Sequence, residues 1–163
     1  AQMLKQVPLR LRERVAAYNL LVELLRDNGL FDKMPSYVIG DHEKPALANY
    51  ADIHFNLSHS GTCVAVAISD KPVGIDVQVR HRISPPLLRR VCNNKERQAI
   101  EQSNDPELQF VRLWTRKEAL LKMIGIGLTR DLHDVLQEEK NYHLQTFYLR
   151  QMQGCLSVCT ATS

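Results

Sequence analysis

Through residues 9–27 the apolar positions Leu11, Val15, Tyr18, Val22 and Leu25 return every three or four residues, and Gly29 follows as a stop. That spacing predicts a first helix. Residues 37–39 are a short β-prone run, and residues 40–45 (GDHEKP) read as a turn, because Gly, Asp and Pro interrupt regular structure there. Residues 55–57 predict a short strand, closed by the punctuation Ser58-His59-Ser60-Gly61. A second strand follows at 63–68 (CVAVAI), and Asp70-Lys71-Pro72 turns the chain. The cleanest alternation comes next. Val73, Ile75, Val77 and Val79 share one face of a strand, and Gly74, Asp76, Gln78 and Arg80 share the other. Ser84-Pro85-Pro86 opens a helix, with Pro tolerated in its first turn. Asn93 and Glu96 have capping-box spacing for another. Asp105-Pro106 opens the longest helix, running to about Ile124 before Gly125, and residues 142–149 and 155–160 predict two final strands. The strands are spaced like hairpins rather than βαβ units, so the fold class is α+β with antiparallel sheets. No repeat or low-complexity linker divides the chain.

Composition narrows the partners. In 163 residues, 21 Lys+Arg stand against 18 Asp+Glu, a net charge of +3. That excess is too small to announce a nucleic-acid binder, though it suits an acidic partner or substrate. Hydrophobic content of 44% and charged content of 24% are ordinary for a globular protein. No apolar run approaches the roughly 18 residues of a membrane span and no signal-like start is seen, so a cytoplasmic protein without membrane contact is expected. Cys155 and Cys159 would share a strand face about 13 Å apart, too far to hold one metal, so with Cys63 and Cys92 they read as small buried thiols. His42, His54, His81, His133 and His143 have no metal-ligand spacing. There is no G-x-S-x-G, and the adjacent Ser58 and His59 need not face one another, which sets a serine hydrolase aside.

Asp76 and Gln78, two residues apart on one strand face, set an acid and an amide about 6.6 Å apart. This pair suits a hard cation, and equally a solvated strand face. On the long helix, Phe110, Leu113, Trp114, Leu120, Leu121 and Ile124 fall within about 120°, with Glu118 and Lys122 side by side at the border. A Glu and a Lys four residues apart are commonly a plain surface pair. Lys117 is less ordinary, because it projects near the centre of the apolar arc and must reach an anion or snorkel out.

Residues 74–78 (GIDVQ) and 114–122 (WTRKEALLK) resemble the two signature motifs of the Sfp-type 4'-phosphopantetheinyl transferases, commonly GxDxE and WxxKExxxK. Residues 55–61 (FNLSHSG) resemble a third motif, residues 43–45 (EKP) the Lys-Pro turn before it, and GIGL after the long helix fits as well. The resemblance runs from about Arg14 to the C-terminus. It implies a pseudo-dimer of two similar halves, each a small antiparallel sheet packed on a helix. The N-terminal half (1–70) would be a shortened nucleotide-side wall, and the C-terminal half (71–163) would bear the metal and catalytic residues. It implies transfer of the 4'-phosphopantetheine arm of coenzyme A, with Mg²⁺, onto a serine of an apo acyl or peptidyl carrier protein, releasing adenosine 3',5'-bisphosphate.

Position by position, the resemblance makes Asp76, Glu118 and Gln78 the metal set, Glu118 the general base and Lys122 the stabiliser of the pyrophosphate, with Lys117 assisting. Arg14, Lys44, Ser58 and His59 correspond to residues that hold the adenosine 3'-phosphate. Two departures stand out: Gln78 where a glutamate is common, and a short N-terminal half. These motivate an alternative, a coenzyme A- or carrier-binding module without transfer, against which Lys117, Glu118 and Lys122 together argue. Carrier docking is expected near residues 80–97, where Arg80, Arg82, Arg89, Arg90, Lys95 and Arg97 interleave with Ile83, Leu87, Leu88 and Val91. The expected state is a monomer.

Overall fold

The computed structural model describes residues 9–39, 45–126, 132–137 and 141–162. Lys44, the predicted turn up to it, and the last two residues of GIGL lie outside them. The chain runs α1 (Leu9–Asp27), β1 (Tyr37–Ile39), β2 (Pro45–Leu47), β3 (His54–Ser60), β4 (Cys63–Ser69), β5 (Val73–Val79), α2 (Pro85–Val91), α3 (Asn94–Glu101), α4 (Pro106–Ile124), β6 (Tyr142–Leu149) and β7 (Gly154–Ala161). Three small antiparallel sheets result: β1-β2, β3-β4 and β5-β7-β6. This is the α+β class that the strand spacing predicts.

The first helix keeps its predicted bounds, but only the C-terminal part of its predicted apolar stripe, Val22 and Leu25, is buried. Leu11 and Val15 are 49% and 50% exposed, whereas Ala17, Leu21, Val22 and Leu25 are buried. Only the C-terminal turns of α1 meet a core, built from Leu21, Leu25, Leu47 and Phe55.

β3 is longer than predicted. Ser58, His59 and Ser60 continue the strand and pair with β4 as far as Ser60 opposite Cys63, leaving Gly61 (φ 59°) and Thr62 as the turn. The reason lies in a second row of hydrogen bonds. The Asn56 side-chain oxygen and the Ser58 and Ser60 hydroxyls accept the backbone N–H groups of Ile75, Val77 and Val79 at 2.9, 3.2 and 3.1 Å. Residues that look like loop punctuation are the polar inner face of a strand, reaching across to β5 with side chains.

The other edge of β5 pairs with β7, and α4 lies across both strands. Gly74 allows the approach, since a Cβ there would collide with the backbone of Ala119 and Met123. Asp105 caps α4 by accepting the Leu108 N–H at 3.1 Å, Pro106 occupies its first turn and Gly125 ends it. Around it Phe110, Val111, Ala119, Leu120 and Leu121 pack with Val91, Ile100, Cys155 and Cys159. Burial on α4 exceeds the predicted arc, taking in Val111, Thr115 and Ala119, while Ile124 is 45% exposed. The helix has the sheet on one side and α3 with a 3₁₀ turn (Val135–Gln137) on another. The predicted capping box of α3 is present: Asn93 accepts the Glu96 N–H, and Glu96 accepts the Asn93 N–H, both at 2.9 Å.

All four cysteines are free thiols, and burial pushes the Cys92 and Cys159 thiols up to about 11 and about 12. No described helix is long and apolar enough to cross a membrane.

Candidate active site

The gap that the side-chain seam leaves between β3 and β5 is an open pocket of ≈ 320 Å³. Asp76 and Gln78 enter it from β5, Ser58 and His59 from β3, and Trp114, Glu118 and Lys122 from α4. Strand alternation puts Asp76 and Gln78 on the α4 side of β5, and the i, i+4 repeat stacks Trp114, Glu118 and Lys122 along one stripe of the helix.

Asp76 is buried, and its close hydrogen bonds fall on one oxygen. Its Oδ1 accepts from Lys122 Nζ at 2.7 Å and from the Ser58 hydroxyl at 2.9 Å, and Gln78 Nε2 stands 3.4 Å from its Oδ2. Lys122 also donates to the Ile75 carbonyl at 3.1 Å. The Trp114 indole N–H donates to Glu118 Oε1 at 3.1 Å. Burial raises the Glu118 carboxyl above its ordinary range and the Asp76 charge adds to this, while Lys122, the Trp114 hydrogen bond and Arg90 work in the opposite direction. A carboxylate raised in this way is a better proton acceptor than a solvated one.

The donor set fits a hard divalent cation. Two carboxylates from different elements face one pocket, and Mg²⁺ is commonly held by one or two carboxylates with waters and substrate phosphates. Among the described residues no group of three His, Cys, Asp or Glu side chains is placed to hold a metal, so Asp76 and Glu118 would need oxygens from a ligand to complete the shell.

A second pocket, of ≈ 480 Å³, adjoins the first through Leu57 and His59. Arg14, Glu13 and Ala17 of α1 line it with Tyr37, Ile39, Pro45 and Val64. His59 is 3.6 Å from Glu13, an ion pair when the imidazole is protonated. The structure therefore brings Arg14 and His59 together, next to Asp76, Gln78, Glu118 and Lys122.

Lys117 is placed elsewhere. The residue is 0% exposed, and its ammonium donates to the carbonyls of Val91, Leu132 and His133 at 2.8, 2.7 and 3.1 Å and to Glu96 at 2.7 Å. The anion it reaches is a side chain of α3, and the three carbonyls join the end of α2 to the segment before the 3₁₀ turn. Lys117→Met should lower unfolding stability by about 2–3 kcal/mol, because three carbonyls and Glu96 lose their donor while Glu96 retains some water contact. A urea midpoint equal to that of the natural sequence would contradict this.

Two contributors escaped the sequence reading. Trp114 holds Glu118, and Ser60 touches Gln78 Oε1 at 3.4 Å while holding β5. The signal for Ser60 was the period-two polar run Asn56, Ser58, Ser60. The proposed docking segment is altered too. Arg80 is tied to Asp105 and Glu107, both at 2.9 Å, and Ile83, Leu87, Leu88 and Val91 turn toward the core rather than outward. Arg82, Arg89, Arg90 and Lys95 are exposed.

Residues 72–161 match the family model of the 4'-phosphopantetheinyl transferase superfamily. The chain is 32% identical over 136 residues to the 4'-phosphopantetheinyl transferase AcpT of Escherichia coli (strain K12), covering 79% of this chain and 68% of that protein. It is 36% identical over 91 residues to the 4'-phosphopantetheinyl transferase psf-1 of Bacillus pumilus, covering 55% of this chain and 39% of that protein. Against the 4'-phosphopantetheinyl transferase Sfp of Bacillus subtilis (strain 168) it is 33% identical over 94 residues, covering 56% and 42%. The matched region thus spans less than half the length of these Bacillus relatives.

Proposed function

This chain belongs to the 4'-phosphopantetheinyl transferase superfamily, and from that premise we propose that it moves the phosphopantetheine arm of coenzyme A onto a serine of an apo carrier protein. The observation that supports this most is the convergence of Asp76, Glu118 and Lys122 in one pocket beside a groove lined by Arg14 and His59. We read the β3-β4 sheet with α1 and the β5-β7-β6 sheet with α4 as two halves of a pseudo-dimer, 1–70 and 71–163, in a monomer of the cytoplasm.

Asp76 and Glu118 would hold Mg²⁺. When bound, the ion would neutralise charge on the pyrophosphate oxygens of coenzyme A. The Glu118 carboxylate takes the proton of the incoming serine hydroxyl. A bond forms between the serine oxygen and the phosphorus that bears pantetheine, and the bond from that phosphorus to the bridging oxygen breaks. Adenosine 3',5'-bisphosphate leaves with its charge met by Lys122. Arg14 and His59 hold the 3'-phosphate in the adjoining groove, and the resemblance assigns Lys44, which lies outside the described residues, to the same phosphate. Lys117, spent on Glu96 and three carbonyls, acts by fixing α4.

The test is direct. Incubated with coenzyme A, Mg²⁺ and an apo carrier, the protein should raise the carrier's mass by one phosphopantetheine. An unchanged carrier mass with coenzyme A still bound would favour a binding module without transfer.

Docking is expected on the exposed cations Arg82, Arg89 and Lys95, which would meet an acidic helix of the carrier. Reversal of Arg82 and Arg89 to Glu should raise the carrier KM roughly tenfold at low salt and leave the coenzyme A KM alone. The effect should shrink with added salt, because exposed charges are screened over about 10 Å at 0.1 M. An unchanged carrier KM would move docking elsewhere. Arg90 is left intact in this test because its charge acts on Glu118.

A further inference from the structure

Ser58 has one hydroxyl proton, and the structure shows where it is spent. The side chain is buried in the seam between β3 and β5, where its oxygen accepts the Val77 N–H at 3.2 Å. Its proton goes to Asp76 Oδ1 at 2.9 Å, the oxygen that also receives Lys122 at 2.7 Å. A hydroxyl donates once, so Ser58 cannot hold Asp76 and donate to a phosphate together.

Across the same carboxylate, Gln78 is oriented in a complementary way. Its Nε2 faces Asp76 Oδ2 and its Oε1 faces the Ser60 hydroxyl, both at 3.4 Å. The reversed amide would set a carbonyl oxygen against a carboxylate oxygen, two acceptors with no proton between them. Ser60, which accepts the Val79 N–H, keeps its own proton for Gln78. The Asp76 carboxylate is therefore steadied on one oxygen by Ser58 and approached on the other by an amide whose carbonyl is turned away.

We infer that Ser58 is a positioning residue for Asp76, fixing the carboxylate for a divalent cation, rather than a side chain that grips the nucleotide phosphate. This rests on the proposed reading of Asp76 and Glu118 as the metal-holding pair. It separates the two neighbours on β3: Ser58 donates to Asp76, and His59, which borders both pockets, is the one that also lines the groove with Arg14. The inference assigns different losses to their removal, metal affinity for Ser58 and nucleotide affinity for His59.

The experiment measures Mn²⁺ binding by electron paramagnetic resonance with coenzyme A present, alongside the coenzyme A KM at saturating Mg²⁺. Ser58→Ala should weaken Mn²⁺ binding by about 10-fold or more, as loss of an outer partner of a metal ligand commonly does, with the coenzyme A KM unchanged. Ser58→Thr, which retains a hydroxyl donor, should restore most of the Mn²⁺ affinity. If Ser58→Ala fails to fold because the Val77 N–H loses its acceptor, Ser58→Cys gives the same reading, since a thiol fills the space and hydrogen-bonds weakly. A raised coenzyme A KM with unaltered Mn²⁺ affinity would overturn the inference and return Ser58 to the nucleotide. Failure of the natural protein to bind Mn²⁺ would overturn it as well. Failure of transfer alone would not, because Mn²⁺ binding is read without turnover.

Discussion

Glu118→Gln is expected to cut transfer by about 10²–10⁴-fold, the usual contribution of a positioned general base, while the protein stays folded. The amide keeps an oxygen for the Trp114 indole N–H and keeps the volume, so what disappears is the charge and the basicity. The stability side of this prediction has a definite sign. The Glu118 carboxyl lies above its ordinary range, chiefly through burial and then through Asp76. A carboxyl raised on folding contributes stability that is fully present below its unfolded pKa and is lost as pH rises through its folded pKa. At pH 7 the ionised group is therefore a burden on the fold, and Glu118→Gln should have a thermal midpoint no lower than that of the natural sequence. The two proteins should converge in acid. A large fall in midpoint at pH 7 with transfer intact would make Glu118 a structural residue. Asp76→Ala is a less clean probe, because it also strips Lys122 and Ser58 of their shared acceptor.

Gly74→Val should be the most damaging substitution to the fold. The site of the missing Cβ is occupied by the backbone of Ala119 and Met123, and no rotamer change moves a backbone. Overpacking in cores typically costs 1–3 kcal/mol when side chains can shift, so a clash with a helix axis should cost upward of about 3 kcal/mol. Gly74→Ala should already lower the urea midpoint sharply. Because Glu118 and Lys122 ride on the same helix, any Gly74→Ala protein that folds should also transfer poorly at saturating substrate. A midpoint within experimental error of the natural one would mean that α4 does not cross β5 as closely as described.

The parts of this molecule governed by local rules were legible in the sequence. The ends of α4 follow from Asp105-Pro106 and Gly125, the capping box of α3 from Asn93 and Glu96, and the polar face of β5 from strict alternation. The pairing of Asp76 with Lys122 needed the approach of two elements 46 residues apart, and only a family resemblance hinted at it. In two places tertiary partners override the local pattern. Ser58-His59-Ser60 looks like a break because its residue types favour turns, yet here their oxygens take up β5 N–H groups. The periodicity of α1 sets Leu11 and Val15 on one stripe with Val22 and Leu25, but nothing in the pattern tells which turns of a helix will be covered. The place of Lys117 on the apolar arc marks it as anomalous from sequence alone. Its partners, carbonyls of segments far along the chain, have no sequence signature.

The union of β3 with β5 through Asn56, Ser58 and Ser60 has a mechanical consequence. A ladder of backbone bonds fixes strands about 4.8 Å apart, whereas a joint made by side chains takes its width from whichever residues form it. Three positions therefore act as the spacer of the cleft between β3 and β5, and exchanging a short oxygen-bearing side chain for a longer one would prise the walls apart without touching either sheet. The joint also reports on itself. The amide protons of Ile75, Val77 and Val79 are shielded by side-chain oxygens, while alternate β5 amides face the backbone of β7. Deuterium uptake confined to those three amides would register breathing of the cleft, separately from melting of the strand that forms its floor.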